Sequence, residues 1–153
     1  GFIGSPQMNF LDGHLYEEGG EVHFKFNNNS VKLPKDKAEI LRQQNEIGKE
    51  VILGVRPEDI KNESNKASET GAINSKVEVK EQLGSETYLY LEINANKLIA
   101  RVKPTFNPSI GQSEKIYFDM NKSHIFNKTT EKAKASPKPK HDDDGPLVAP
   151  STV

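Results

Sequence analysis

The residues best suited to chemistry lie in LGVRPEDI, residues 53–60, where Arg56, Glu58 and Asp59 follow an apolar run and Pro57 fixes the backbone. An arginine beside two carboxylates could supply an acid, a base and an anion clamp. Against that, Glu58 and Asp59 are sequence neighbours, so along extended chain their side chains point to opposite faces. Charge pairs at strand ends are common, solvated and weak. The stretch is therefore expected to brace a strand end, with Arg56 paired to a local carboxylate or offered to a neighbouring turn or a partner chain.

The other candidates for chemistry have thinner patterns. A phosphate-cradling nucleotide loop ends in Gly-Lys-Ser/Thr, with another glycine five residues before the Gly-Lys pair. Gly48-Lys49 is followed by Glu50 and lacks that glycine. The histidines, at positions 14, 23, 124 and 141, stand singly with no metal-ligand spacing, and His141 opens an Asp-rich run that reads as a charged tail. With no cysteine, disulfides, thiolate metal sites and cysteine nucleophiles are excluded. Tyr88 and Tyr90 at i, i+2 could stack bases. No basic cluster interleaves with them and Glu92 shares their face, so packing against another layer or another chain is the better reading. Gly84-Ser85-Glu86-Thr87 has the composition of a tight turn feeding a strand, with a phosphate nest as the alternative.

Composition narrows the classes further. Apolar residues make up 33% and charged residues 28%, with 21 Lys plus Arg against 22 acids. Without the four Lys and three Asp from Lys132 onward the balance is 17 against 19. Neither figure suits a nucleic-acid or membrane-surface role resting on bulk charge. No apolar run approaches the roughly 20 residues of a membrane span.

The elements that must position these residues are mostly strands. Gly19-Gly20 marks a hairpin turn, and Val22, Phe24 and Phe26 alternate with His23 and Lys25 as a half-buried strand. NNNS, residues 27–30, reads as a loop. Pro34 opens one short amphipathic helix with Ile40, Leu41 and Ile47 apolar and Gly48 as its stop. Val51, Leu53 and Val55 share a face of a strand that Pro57 ends. A polar loop follows, then a hairpin bent at Gly84-Ser85 with Thr87, Leu89, Leu91 and Ile93 on one face and Tyr88, Tyr90 and Glu92 on the other. KLIARVKP and EKIYFDM are strands, the latter with Ile116 and Phe118 inward, and SHIF is a last extended piece. From Lys132 the chain is rich in Lys, Pro and Asp and cannot offset its ordering entropy. About seven short strands and one helix predict an all-β, OB-like small barrel with a disordered C-terminal tail.

Taken in order, FIGSPQMNF, LGVRPEDI, VEVKEQLGSETYLYLE, ARVKP and FDMNKSHIFN resemble the C-terminal regulatory region of the ATP-binding subunits of carbohydrate-import ABC transporters, of the maltose type. The resemblance covers roughly residues 1–130 and implies a transport-associated OB (TOBE) barrel. It implies a junction over 1–10 from an ATPase domain expected upstream of Gly1, a regulatory barrel over 11–131, and a tail over 132–153 with no counterpart. ATP and Mg would belong to the upstream domain, so no catalytic, cofactor-binding or metal-ligating residue is assigned. The region would pair with a second copy of the subunit, reach the membrane subunits through the upstream domain, and receive cytosolic regulators, at the inner face of the membrane. The residues expected on partner-facing surface are Arg56, Glu58, Gly84, Ser85, Glu86, Asp119 and His124. The alternative is a free-standing OB-type module that binds a small ligand or an oligonucleotide.

Overall fold

The computed structural model describes residues 7–63, 71–128 and 147–148. Expectations for residues 1–6, for most of the polar loop after Lys61, and for the tail from Lys132, Leu147 and Val148 apart, lie outside the described residues. The described chain runs β1 (Asn9–Glu18), β2 (Glu21–Phe26), β3 (Asn29–Lys32), α1 (Lys35–Gln43), β4 (Glu50–Val55), β5 (Ile60–Lys61), β6 (Ile73–Leu83), β7 (Glu86–Ile93), β8 (Asn96–Val102), β9 (Ser113–Phe118) and β10 (His124–Asn127). The fold is all-β with a single α-helix among the described residues. Two compact units share it, one holding residues up to Asn9 and Val55–Asp119, the other Phe10–Gly54 and the chain from Met120.

In the second unit the strands form a sheet ordered β10-β4-β1-β2-β3. Gly19 and Gly20, both at positive φ (62° and 79°), turn β1 into β2 as their pairing in sequence predicts. Val22, Phe24 and Phe26 are buried on one face of β2, each contributing about 1.5–3 kcal/mol through the area removed from water. Gly13 has a packing reason: a Cβ there would stand 2.3 Å from the Lys25 carbonyl oxygen and 2.5 Å from the Phe24 ring. Central β4 is buried from Val51 through Val55, so the face opposite Val51, Leu53 and Val55 is covered as well.

Two readings of this unit are corrected. Only Asn27 and Asn28 form the turn in NNNS, with Asn27 at φ 53°. Asn29–Lys32 is an edge strand paired to β2, and Val31 is its buried anchor. The helix stops at Gln43, five residues before Gly48. Asn45 takes the left-handed conformation at φ 59°. The N–H groups of Asn45 and Glu46 reach back to the carbonyls of Arg42 (3.1 Å) and Leu41 (3.0 Å). That is a Schellman closure built on Asn, a residue that tolerates this backbone. Leu41 is buried while Ile40 is 40% exposed.

The same helix carries an unanticipated contact. Lys37 is 2% exposed, and its Nζ donates to the carbonyls of Met120 (2.9 Å), Asn121 (2.8 Å) and Ser123 (3.0 Å). All three ammonium donors are thereby occupied, which clamps α1 onto the turn that leads into β10.

In the first unit the sheet is ordered β5-β9-β6-β7-β8. The β6–β7 hairpin turns at Gly84 (φ 63°), with Leu83 opposite Glu86. Thr87, Leu89, Leu91 and Ile93 are buried as expected, but Tyr88 on the other face is also buried, at 4% exposure. Asn9 stitches this unit: its Nδ2 donates to the carbonyls of Val55 (3.0 Å) and Ile99 (2.9 Å), and its Oδ1 accepts the Ile99 N–H (2.8 Å).

Candidate functional site

In the first unit, concavity combines with charge where β5 meets the end of β8. Ile60 and Lys61 leave a 3-10 turn at Pro57–Asp59 and pair with Phe118 and Tyr117 of β9. Arg101 and Lys103 stand two residues apart at the end of β8, so their side chains share a face. With Asn62, Glu63, Val102, Thr105 and Phe106 they line a cleft of about 560 Å³, within the usual range for small-molecule sites.

The cations are held from behind. Lys61 Nζ donates to the Glu58 carbonyl at 2.8 Å. Arg101 Nη1 lies 3.8 Å from Glu86 Oε1, an ion pair beyond hydrogen-bond reach. Glu86 also accepts the Tyr88 hydroxyl at 2.8 Å. That carboxylate, then burial, holds the Tyr88 phenol above its ordinary value of 10.0, because both disfavour a second negative charge. Burial first, and then Glu81 accepting its hydroxyl at 3.2 Å, raises Tyr90 likewise. Tyr88 has no open ring face for a base, and each hydroxyl meets a carboxylate that would repel a phosphate backbone. The paired-tyrosine platform of the oligonucleotide reading is not formed.

The residues singled out in the sequence are distributed as follows. Gly84 and Ser85 form the exposed tip of the β6–β7 hairpin, with half-buried Glu86 behind them. Arg56 is exposed and makes no ion pair with a described residue, so the expected local brace is absent. Glu58 is half-buried in the 3-10 turn and Asp59 is buried, their separation coming from that turn and not from extended chain. Asp119 donates its backbone N–H to the Asp59 carbonyl at 2.9 Å, which puts it against the same turn. Its Oδ1 is buried without a hydrogen-bond partner among the described residues. His124 lies in the other unit, stacked on Phe126 at 5.9 Å. The first unit thus brings Arg56, Glu58 and Asp119 to one neighbourhood and Gly84, Ser85 and Glu86 to one hairpin tip. Lys61, Arg101, Lys103 and Phe106 went unread. The signal available for them was Arg-x-Lys at a strand end, in a motif (ARVKP) that otherwise marks only where the strand stops.

Comparison with known proteins places the chain. A family model described as the MalK OB fold domain matches residues 4–60, and one described as the TOBE domain matches residues 53–126. The oligosaccharides import ATP-binding protein MsmX of Bacillus subtilis is 40% identical over 133 residues, 86% of this chain and 35% of that protein. The trehalose/maltose import ATP-binding protein MalK of Thermococcus litoralis is 36% identical over 136 residues, 87% of this chain and 36% of that protein. The chain therefore spans about a third of the length of the curated relatives it matches. Among solved structures, the cytoplasmic molybdate-binding protein ModG superposes with a TM-score of 0.58 at 13% identity, over 80% of this chain and 98% of that one. That likeness concerns the fold alone.

Proposed function

We propose, from the premise that this chain belongs to the MalK-type OB-fold and TOBE family of sugar-import ABC ATP-binding subunits, that it is the non-catalytic regulatory and pairing region of such a subunit. The observation that carries the reading is the consecutive match of the two domain types over residues 4–126. Relatives named as import ATP-binding proteins align with the chain over 86–87% of its length. ATP and its metal would be handled by an ATP-binding domain in the same subunit, at the cytoplasmic face of the membrane. Among the described residues no helix is long and apolar enough to span a membrane, which accords with attachment through membrane subunits.

The pairing partner is a second copy of the subunit. The exposed hairpin tip at Gly84-Ser85, with Glu86, offers a shape-defined contact, and Arg56, without an ion-pair partner among the described residues, offers a charge to another chain. Glu58 and Asp119 border the same turn, and His124 adds a half-buried polar group in the other unit. Cytosolic regulators would use the same kinds of surface.

The test is a chimera in which this chain replaces the corresponding third of the Bacillus subtilis import ATP-binding protein. Sedimentation should give a dimer, and ATP hydrolysis should persist, whereas the chain alone should hydrolyse none. A chimera that hydrolyses ATP but whose dimerisation is unchanged when the chain is deleted would remove the pairing role.

A further inference from the structure

We infer that the cleft between β5 and the end of β8 is a binding site for a small organic phosphomonoester. Its described lining carries three cations, Lys61, Arg101 and Lys103, against one carboxylate, Glu63, a net charge of +2. A phosphomonoester carries about −1.5 to −2 charges at neutral pH and three strong acceptor oxygens. Glu86 already faces Arg101 from behind, whereas Lys61 and Lys103 form no ion pair among the described residues, so an entering anion meets two unmatched like charges that repel one another. A monocarboxylate would leave part of that charge unmatched.

Two of the cations are pre-positioned. Lys61 is tethered to the Glu58 carbonyl, which leaves two ammonium donors for a ligand. Arg101 is backed by Glu86 and Tyr88, so less side-chain freedom is lost when an anion arrives. Thr105 and Asn62 add neutral polar groups, and Ile60, Val102 and Phe106 supply an apolar wall. A bare anion would leave that wall uncovered and a neutral sugar would leave the cations unmatched; an ester satisfies both. Since Lys61 and Lys103 are exposed, binding should weaken as salt rises. The site does not depend on the pairing role, because binding is read on the 153-residue chain whatever its oligomeric state.

Isothermal titration of this chain with glucose 6-phosphate, inorganic phosphate and glucose at low ionic strength tests the inference. Glucose 6-phosphate should bind, glucose should not, and the double substitution Lys61→Gln/Lys103→Gln should weaken binding at least about tenfold. Both lysines are exposed, so the doubly substituted chain should keep its fold, as circular dichroism would check. Phe106→Ala should lower affinity for the ester and leave that for inorganic phosphate unchanged. No heat with either phosphate, or an affinity indifferent to the double substitution, overturns the site. Equal affinity for inorganic phosphate and the ester overturns the organic half of the assignment.

Discussion

The ammonium of Lys37 donates to three backbone carbonyls at 2.8–3.0 Å in one unit, and that of Lys97 donates to three carboxylate oxygens of Glu78 and Glu92 at 2.8–2.9 Å in the other. Counted as hydrogen bonds the two are equals, and by formal charge Lys97 has the better partners. Their surroundings differ: Lys37 is 2% exposed, whereas the Lys97 side chain is 61% exposed. Water competes for every bond Lys97 makes and screens its charges. Around Lys37 nothing competes, and without it the Asn121 and Ser123 carbonyls would lose this donor, while the Met120 carbonyl would keep the Ser123 hydroxyl at 2.8 Å. Solvent access, not the number of contacts, decides which lysine holds structure together.

The strongest way to break that comparison is Lys37→Met. Met nearly matches the volume but donates nothing, so the carbonyls of Asn121 and Ser123 lose this donor, Met120 keeps only its Ser123 donors, and α1 loses its tie to the turn before β10. The expected loss is about 2–6 kcal/mol, from two buried carbonyls left without this donor at about 1–3 kcal/mol each. A urea melt reads it directly. A midpoint within error of the parent would mean that water reaches those carbonyls and that the burial of Lys37 carries no weight.

A middle case is Gly84→Val at the β6–β7 tip. The glycine is at φ 63° with nothing within 4 Å of its virtual Cβ, so the cost is backbone strain alone, about 1–2 kcal/mol. The fold should survive while contacts made by the tip change. Loss of the fold in a circular dichroism melt would make the turn structural and withdraw it from the pairing surface.

These cases also show what the sequence made legible. Alternation in Val22, Phe24 and Phe26, the glycines of both hairpins, and Pro57 at the end of β4 are local signals, because one residue's backbone or one face's polarity decides them. The strand Asn29–Lys32 is polar except at Val31 and exists through its pairing with β2, which no local pattern records. The helix ends on Asn45 because a neighbouring carbonyl pair closes the turn there, while Gly48 takes positive φ four residues after the helical cap, Gln44. Lys37 reads as an ordinary solvated helix lysine, since its acceptors are 83–86 residues away in sequence. The cleft is illegible for the same reason: Lys61 and Arg101 meet only after β5 and β8 have been brought together. The exposed hairpin residues and Arg56 could be named from sequence, but the chain alone does not say what they face.

A smaller effect should appear at alkaline pH. Tyr88 and Tyr90 have phenols raised above 10.0, so the folded state holds their protons more tightly than the unfolded state does. That contribution is fully present below about pH 10 and is lost as pH rises through the folded values. Stability should therefore fall as pH rises above about 10, and Tyr88→Phe should flatten part of the decline, read from urea midpoints on either side of that value. An unchanged slope would mean that Glu86 and burial do not act on Tyr88 as the geometry indicates.

The smallest effect belongs to Lys97 and completes the comparison with Lys37. The Lys97 hydrogen bond and charge lower the Glu92 carboxyl below its ordinary 4.5, and Glu78 first, then Glu92, raises Lys97 above its ordinary 10.5. The lowered carboxyl favours the folded state above its unfolded value, and that contribution disappears as pH falls through the folded one. The raised ammonium favours it below its unfolded value, and that contribution disappears as pH climbs through the folded one. Between those limits the cluster's contribution is flat and, being exposed, small. Lys97→Met should therefore leave the urea midpoint at neutral pH close to that of the parent at about 0.15 M salt, with a difference emerging only as ionic strength is lowered. If Lys97→Met cost as much as Lys37→Met at that salt, three exposed charge-assisted bonds would weigh the same as three buried ones, and solvent access could not be what separates the two lysines.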